Sequence, residues 1–163
     1  MRIHEGWLAA GLLLSVVLAC NLSKNTNNAN NSNRNSNANK ATPQPTRPAN
    51  ADVYVDRVFM AKDKGGQPGV ETSTYEASDR TVHCIAELNK AKKGTEVKLV
   101  WKTIDVEGEP RDKDFQTIRY TTKSFEDKIH GHLTRESDWP KGTYRVEIYI
   151  NDALDKTIDY TVE

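Results

Sequence analysis

Between Asp52 and Glu163, apolar and polar residues alternate in short runs, and no segment carries a helical period. Val53 to Met60 opens the series. Thr81 to Leu88 sets Val82, Cys84, Ala86 and Leu88 on one face, and Glu96 to Asp105 does the same with Val97, Leu99 and Trp101. Phe115 to Thr122 and Lys128 to Thr134 add two more runs. Tyr144, Val146, Ile148 and Ile150 then alternate with Arg145, Glu147 and Tyr149, and Ile158, Tyr160 and Val162 close the chain. Gly65-Gly66, Pro68-Gly69, Lys93-Gly94, Gly108, Pro140 and Gly142 punctuate these runs, and Asn151-Asp152 reads as a tight hairpin turn. The pattern predicts an all-β domain over residues 52–163 with about seven strands, and room for an eighth near Val70 to Tyr75. A β-sandwich accounts for it best, with a jelly roll or small barrel as the alternative.

Ahead of this domain the pattern changes twice. Leu8 to Ala19 is a continuous apolar run, shorter than the roughly 20 residues that span a bilayer core. Arg2 stands before it, offset by Glu5, so residues 1–19 read as the leader of an exported protein. From Asn21 to about Ala51, Asn recurs from Asn25 to Asn39 among Ser, Thr, Ala and Lys, followed by Pro43 to Pro48, with Leu22 the one large aliphatic residue. Such a segment cannot offset the entropy of ordering, so residues 20–51 are expected to form a disordered tether. Its root-mean-square span would be roughly 30 Å, and about 100 Å when stretched.

Val17-Leu18-Ala19-Cys20 resembles the lipobox of a bacterial lipoprotein: an aliphatic residue, a small residue before the cut, then cysteine. The resemblance implies cleavage before Cys20 and attachment of a diacylglycerol and an N-acyl chain. More than one chain matters, because a single acyl chain binds membranes marginally. Asn21, where an inner-membrane retention signal would carry Asp, points to the outer membrane of a Gram-negative envelope rather than the inner one. An ordinary signal peptide cut near Ala19, with Cys20 incidental, is the plainer alternative. The chain has two cysteines. If Cys20 carries lipid, Cys84 has no disulfide partner.

Within the domain, Cys84, Trp101 and the run Gly142-Thr143-Tyr144-Arg145-Val146 resemble the immunoglobulin-like and fibronectin-like pattern. By that resemblance Cys84 matches the first core cysteine, Trp101 the core tryptophan and Tyr144 the corner tyrosine. Val146 stands where the second cysteine would be, so an apolar contact replaces the inter-sheet disulfide. The resemblance implies a single immunoglobulin-like sandwich and leaves function open.

Candidate chemistry is sparse. His130 and His132 point to one face of a strand around Gly131, and His83 can join them only if its strand is a neighbour. A structural zinc site wants about four ligands. The expectation is therefore two exposed histidines flanking an inward glycine, with no metal and no cofactor. Cys84 alternates with core residues and is expected to be buried and inert, with His83 pointing the opposite way. No Ser-His-Asp pattern, nucleotide loop or metalloprotease motif is present in the sequence, so no catalytic residue and no enzyme is expected. Formal charge is balanced, with 23 basic and 23 acidic residues. Lys24, Arg34, Lys40 and Arg47 in the tether offset an acidic excess in the domain, and no basic patch with interleaved aromatics suggests nucleic acid.

The sequence thus predicts a lipid-anchored envelope protein whose domain is a non-catalytic binding module for a protein or glycan. Its expected contact surfaces are the loops Lys62 to Tyr75 and Val106 to Asp114 or the sheet face carrying Arg145, Glu147 and Tyr149; Trp139 could stack on a sugar, although such a residue more often covers the end of the sandwich. The rival is a periplasmic accessory subunit or chaperone-like protein that pairs an edge strand with a client.

Overall fold

The structure is a computed structural model and describes residues 42–163. The leader, Cys20 and the Asn-rich part of the expected tether lie outside the described residues. Nine strands make up the fold: β1 (Val55–Lys64), β2 (Gln67–Glu71), β3 (Thr74–Tyr75), β4 (Thr81–Leu88), β5 (Glu96–Val106), β6 (Lys113–Thr121), β7 (Lys128–Thr134), β8 (Gly142–Ile150) and β9 (Ala153–Val162). They form a four-stranded sheet in the order β2-β1-β4-β7 and a five-stranded sheet in the order β3-β9-β8-β5-β6. All neighbours are antiparallel except β3, which runs parallel to β9.

Strict alternation builds the core between the sheets. Val82, Cys84 and Ala86 of β4 have no exposed surface, and the same is true of Leu99 and Trp101 of β5 and Val146 and Ile148 of β8. These residues belong to one hydrophobic cluster, so Cys84 and Val146 both lie in the core as free, apolar-packed side chains. Each fully buried Val, Leu or Ile of this kind contributes about 1.5–3 kcal/mol.

Two backbone features fix how β8 enters the sheet. The Tyr144 hydroxyl donates to the carbonyl of Pro140 at 2.7 Å, the hydrogen bond of a tyrosine corner. Gly142 has φ 140°, and a Cβ there would lie 2.2 Å from the Asp105 carbonyl oxygen, so the close approach of β5 requires glycine. At the far end of β8, Asn151 and Asp152 have φ 47° and 64°, the paired left-handed residues of a type I′ hairpin.

Nine strands stand where the sequence predicts about seven, with an eighth near Val70 to Tyr75. The difference lies in Gln67–Tyr75, where Pro68 and Gly69 break alternation and obscure β2 in the sequence. β2 hairpins onto β1, and β3 crosses to β9. The two residues of β3 are anchored by Tyr75, whose hydroxyl donates to the Ala61 carbonyl at 2.8 Å and whose ring meets Tyr160 edge-on at 5.5 Å. The segment just before β1 is also tied to the sandwich. The backbone amides of Thr46 and Arg47 donate to the Leu154 carbonyl at 2.8 and 3.1 Å, and Arg47 pairs with Asp155 at 2.9 Å.

Candidate functional site

Of the surfaces expected from sequence, the face of β8 is the first to be corrected. Arg145 and Glu147 alternate outward, but they are buried, at 3% and 4% exposure. β8 lies between β5 and β9, and long neighbouring side chains close over it. Arg145 holds Asp159 in a two-pronged ion pair at 2.6 and 2.9 Å, and its guanidinium also donates to the Thr42 hydroxyl at 3.4 Å. Lys102 lies 3.0 Å from Asp114 and 3.6 Å from Glu147. Tyr149, half-buried, donates to Glu147 at 2.7 Å, with the Lys98 ammonium 4.1 Å above its ring. These side chains satisfy one another, so they are a poor surface for a partner.

Of the two roles open to Trp139, the structure gives the end-covering one and not sugar stacking. Trp139 is 3% exposed, its indole N–H donates to the Arg80 carbonyl at 3.2 Å, and its ring meets Phe115 and Tyr144 edge-on. It covers one end of the sandwich and offers no open ring for a sugar to stack on. The expected loops lie at β1–β2–β3 and β5–β6, and the exposed large apolar residues among the described residues are Val70 on β2 and Phe125 between β6 and β7. An open cleft of about 420 Å³ lies beside Arg47, Asp52, Lys92 and Lys93, but Asp52 is already bonded to Lys90 and Lys92.

The outer face of the four-stranded sheet is different. β4 lies beside β7, which places His83 directly opposite His132 and Ile85 opposite His130. On the other side, β1 places Ala61 opposite His83, so Asp63, two residues on, reaches the same face. The three imidazoles converge, with one ring nitrogen from each within 4.8 Å of the others. His83 Nδ1 is 2.7 Å from His130 Nε2, and His83 Nε2 is 2.8 Å from Asp63 Oδ1. Asp63 Oδ1 also accepts the Gly66 backbone N–H at 3.0 Å.

Burial differs sharply within the group. His83 has no exposed surface, whereas His130 and His132 are exposed on the edge strand. The hydrogen bond from His83, reinforced by Gly66, holds the Asp63 carboxyl below the usual carboxylate range. Partial burial, together with the neighbouring His83 and His132 rings, lowers the pKa of His130. An ionised carboxylate only accepts hydrogen bonds, so Asp63 assigns the proton of neutral His83 to Nε2. The Nδ1 lone pair then points towards His130 and His132.

Beneath the cluster, Gly131 turns inward as expected. A Cβ there would lie 2.8 Å from Trp101 Cη2 and 3.1 Å from Leu99 Cδ2, so the glycine admits the tryptophan edge while both flanking histidines face outward. Cys84 is buried as expected, and burial pushes its thiol pKa up to about 12. The sequence pairs His130 with His132, places His83 with them only if its strand is a neighbour, and carries no signal for Asp63.

Two packed sheets, the buried Cys84 and Trp101 and the tyrosine corner make the domain an immunoglobulin-like β-sandwich. Its fold is similar to that of an immunoglobulin-like protein from Pseudomonas aeruginosa, with TM-score 0.50 and 15% identity over 71% of this chain and 100% of that one. An alkylpurine DNA glycosylase from Pseudomonas fluorescens (TM-score 0.44, 9% identity, 69% of this chain and 31% of that chain) also matches. So does a GH3 β-glucosidase from Bifidobacterium adolescentis (TM-score 0.41, 16% identity, 68% and 17%). At such identities the likenesses show the fold alone, and the two enzyme matches are too distant to carry an argument. No family model matches the chain, and no curated protein matches it.

Proposed function

We propose that the protein is a lipid-anchored lipoprotein of the bacterial cell envelope, held by Cys20 in the outer membrane, whose sandwich is a non-catalytic binding module for a protein or glycan. The observation that carries this reading is Val17-Leu18-Ala19-Cys20 placed directly before an Asn-rich segment and a single immunoglobulin-like domain. Acyl chains supply the membrane affinity, and the Asn-rich segment ahead of Thr42 supplies the reach, since Thr46 and Arg47 are tied to the sandwich. The binding surface is the His83, His130 and His132 end of the outer face of the four-stranded sheet, because the opposite face is occupied by its own ion pairs and the Glu87 end of this face is paired with Arg57 and Lys128. Client-strand pairing is the weaker reading. The nine-residue edge strand β6 carries Lys113, Asp114 and Arg119, and charge along an edge opposes pairing with another strand.

Metabolic labelling with a radioactive fatty acid tests the anchor. Label should enter the wild-type chain and be lost in Cys20→Ala; label retained in that variant overturns the reading. Protease treatment of intact cells then tests its placement. Loss of the domain puts the module on the cell surface, and protection until the outer membrane is opened puts it in the periplasm.

A further inference from the structure

We propose that His83, His130 and His132 form a binding site for one divalent transition-metal ion of the zinc class, with Asp63 orienting the buried histidine. This inference goes beyond the reading above and stands whether or not the chain is lipidated.

Three features carry it. The first is the donor set: three imidazoles from two neighbouring strands, with ligand atoms within 4.8 Å of one another. Imidazole suits zinc, copper and nickel, whereas calcium and magnesium require oxygen ligands. The second is the carboxylate behind the ring. Metal-binding histidines characteristically donate their remaining N–H to a carboxylate or carbonyl, which fixes the tautomer and raises basicity. Asp63 occupies that place behind His83 at 2.8 Å and is itself held by the Gly66 amide.

The third is the burial gradient. His83, with no exposed surface, is fixed in the sheet, while His130 and His132 lie at the edge and can adjust. Adjustment is needed, and it is small. Tetrahedral ligands about 2.0–2.1 Å from zinc stand about 3.3 Å apart. His83 Nδ1 and His130 Nε2, now 2.7 Å apart, must therefore separate by about 0.6 Å. Rotation of the exposed His130 ring is enough. The ion would take the lone pair of His83 Nδ1 and, with the proton of His130 moved to its Nδ1 so that the ring stays neutral, that of His130 Nε2, and the fourth position would open to solvent and take water. Three neutral imidazoles leave the metal charge uncompensated except through Asp63, so its carboxylate matters electrostatically as well as for orientation.

The test uses the full-length chain in mild detergent. Zinc affinity is measured at pH 7.5 by competition with a chromogenic chelator, with magnesium as the control cation. Wild type should bind one zinc per chain and no magnesium. The double variant His130→Ala/His132→Ala should bind zinc at least about 100-fold more weakly, and Asp63→Asn about 10–100-fold more weakly. Equal zinc affinity in wild type and the double variant, or equal affinity for zinc and magnesium, overturns the proposal. A measurement on the wild type alone covers the case of a variant that does not fold. The ring C–H resonances of His83, His130 and His132 should all shift on zinc addition and saturate at one equivalent. Rings that stay unmoved reject the site.

Discussion

On the outer face of the five-stranded sheet, Arg145 grips Asp159, Lys102 bridges Asp114 and Glu147, and Arg47 reaches in to Asp155. On the outer face of the four-stranded sheet, three histidines converge with one carboxylate hydrogen-bonded to His83. Both faces are polar in the sequence, and the same alternation places them outward. They differ in what neighbouring strands bring. Opposite charges meet on the first face and neutralise one another. On the second, Glu87 likewise meets Arg57 and Lys128, but beyond them three imidazoles gather with no charged partner except Asp63, a donor set that a cation can use. Outward polarity therefore does not identify a binding face; the useful quantity is how fully its groups satisfy one another.

The most severe way to break this contrast is to remove Arg47. Asp155 is fully buried, and its Oδ2 has no hydrogen-bond partner among the described residues, so the Arg47 guanidinium is its principal compensation. Arg47→Ala should cost about 2–4 kcal/mol, because an uncompensated buried charge remains. It should also release Thr46 from Leu154. Urea denaturation gives the cost, and a loss below about 0.5 kcal/mol means that the ion pairs of this face are ornamental.

Next in size is Gly131→Ala, which joins the histidine face to the core. The added methyl meets Trp101 Cη2 at 2.8 Å, tighter than van der Waals contact allows. Overpacking of this kind costs about 1–3 kcal/mol. Because β7 must shift to relieve it, zinc affinity should fall along with stability. A variant as stable as wild type would mean that the Trp101 ring has room to move, and that the spacing of His130 and His132 is not set from below. His132→Ala should be milder still. An exposed residue on an edge strand changes stability by no more than about 0.5 kcal/mol. The same urea midpoints measure it, and a loss comparable to that of Arg47→Ala would show that the two faces are equally committed to holding the fold.

Much of this contrast could not be read from the chain alone, for specific reasons. β4 and β7 appear in the sequence with the bounds they have in the structure, as do the inward set Val82, Cys84, Ala86 and Leu88 and the outward pair around Gly131. Period-two alternation is a local signal, and those strands follow it strictly. The pairing of β4 with β7 joins residues about 50 positions apart through no hairpin, so the third histidine could be placed only conditionally. Asp63 was hidden for another reason. It follows a register irregularity between Ala61 and Asp63 in the β1–β2 pairing, at the end of a strand that sequence patterning closes at Met60. The burial of Arg145 and Glu147 has a third origin. Alternation says that they face away from the core, but the side chains that close over them come from β5, β6, β9 and the segment at Thr42.

The smallest expected effect tests the phase of β4, on which the whole contrast rests. Cys84 and His83 are chain neighbours on opposite faces, so slipping β4 by one residue would expose the thiol and bury the histidine differently. With burial pushing the thiol up to about 12, little of it is the reactive thiolate at pH 8. The folded chain, lipidated or carrying Cys20→Ala, should therefore resist alkylation of Cys84 by iodoacetamide at pH 8, with or without zinc, and react promptly in urea. The same burial sets the sign of a pH effect. An acid whose pKa is raised by folding keeps its proton where the unfolded chain has lost it, so stability falls as pH rises above the ordinary thiol value of 9.0. Between pH 8 and 9, where the unfolded thiol begins to ionise and few unfolded tyrosines have, Cys84→Ala should flatten the onset of that decline. Rapid alkylation of the folded chain would mean that β4 presents the opposite face, and that His83 does not share a surface with His130 and His132.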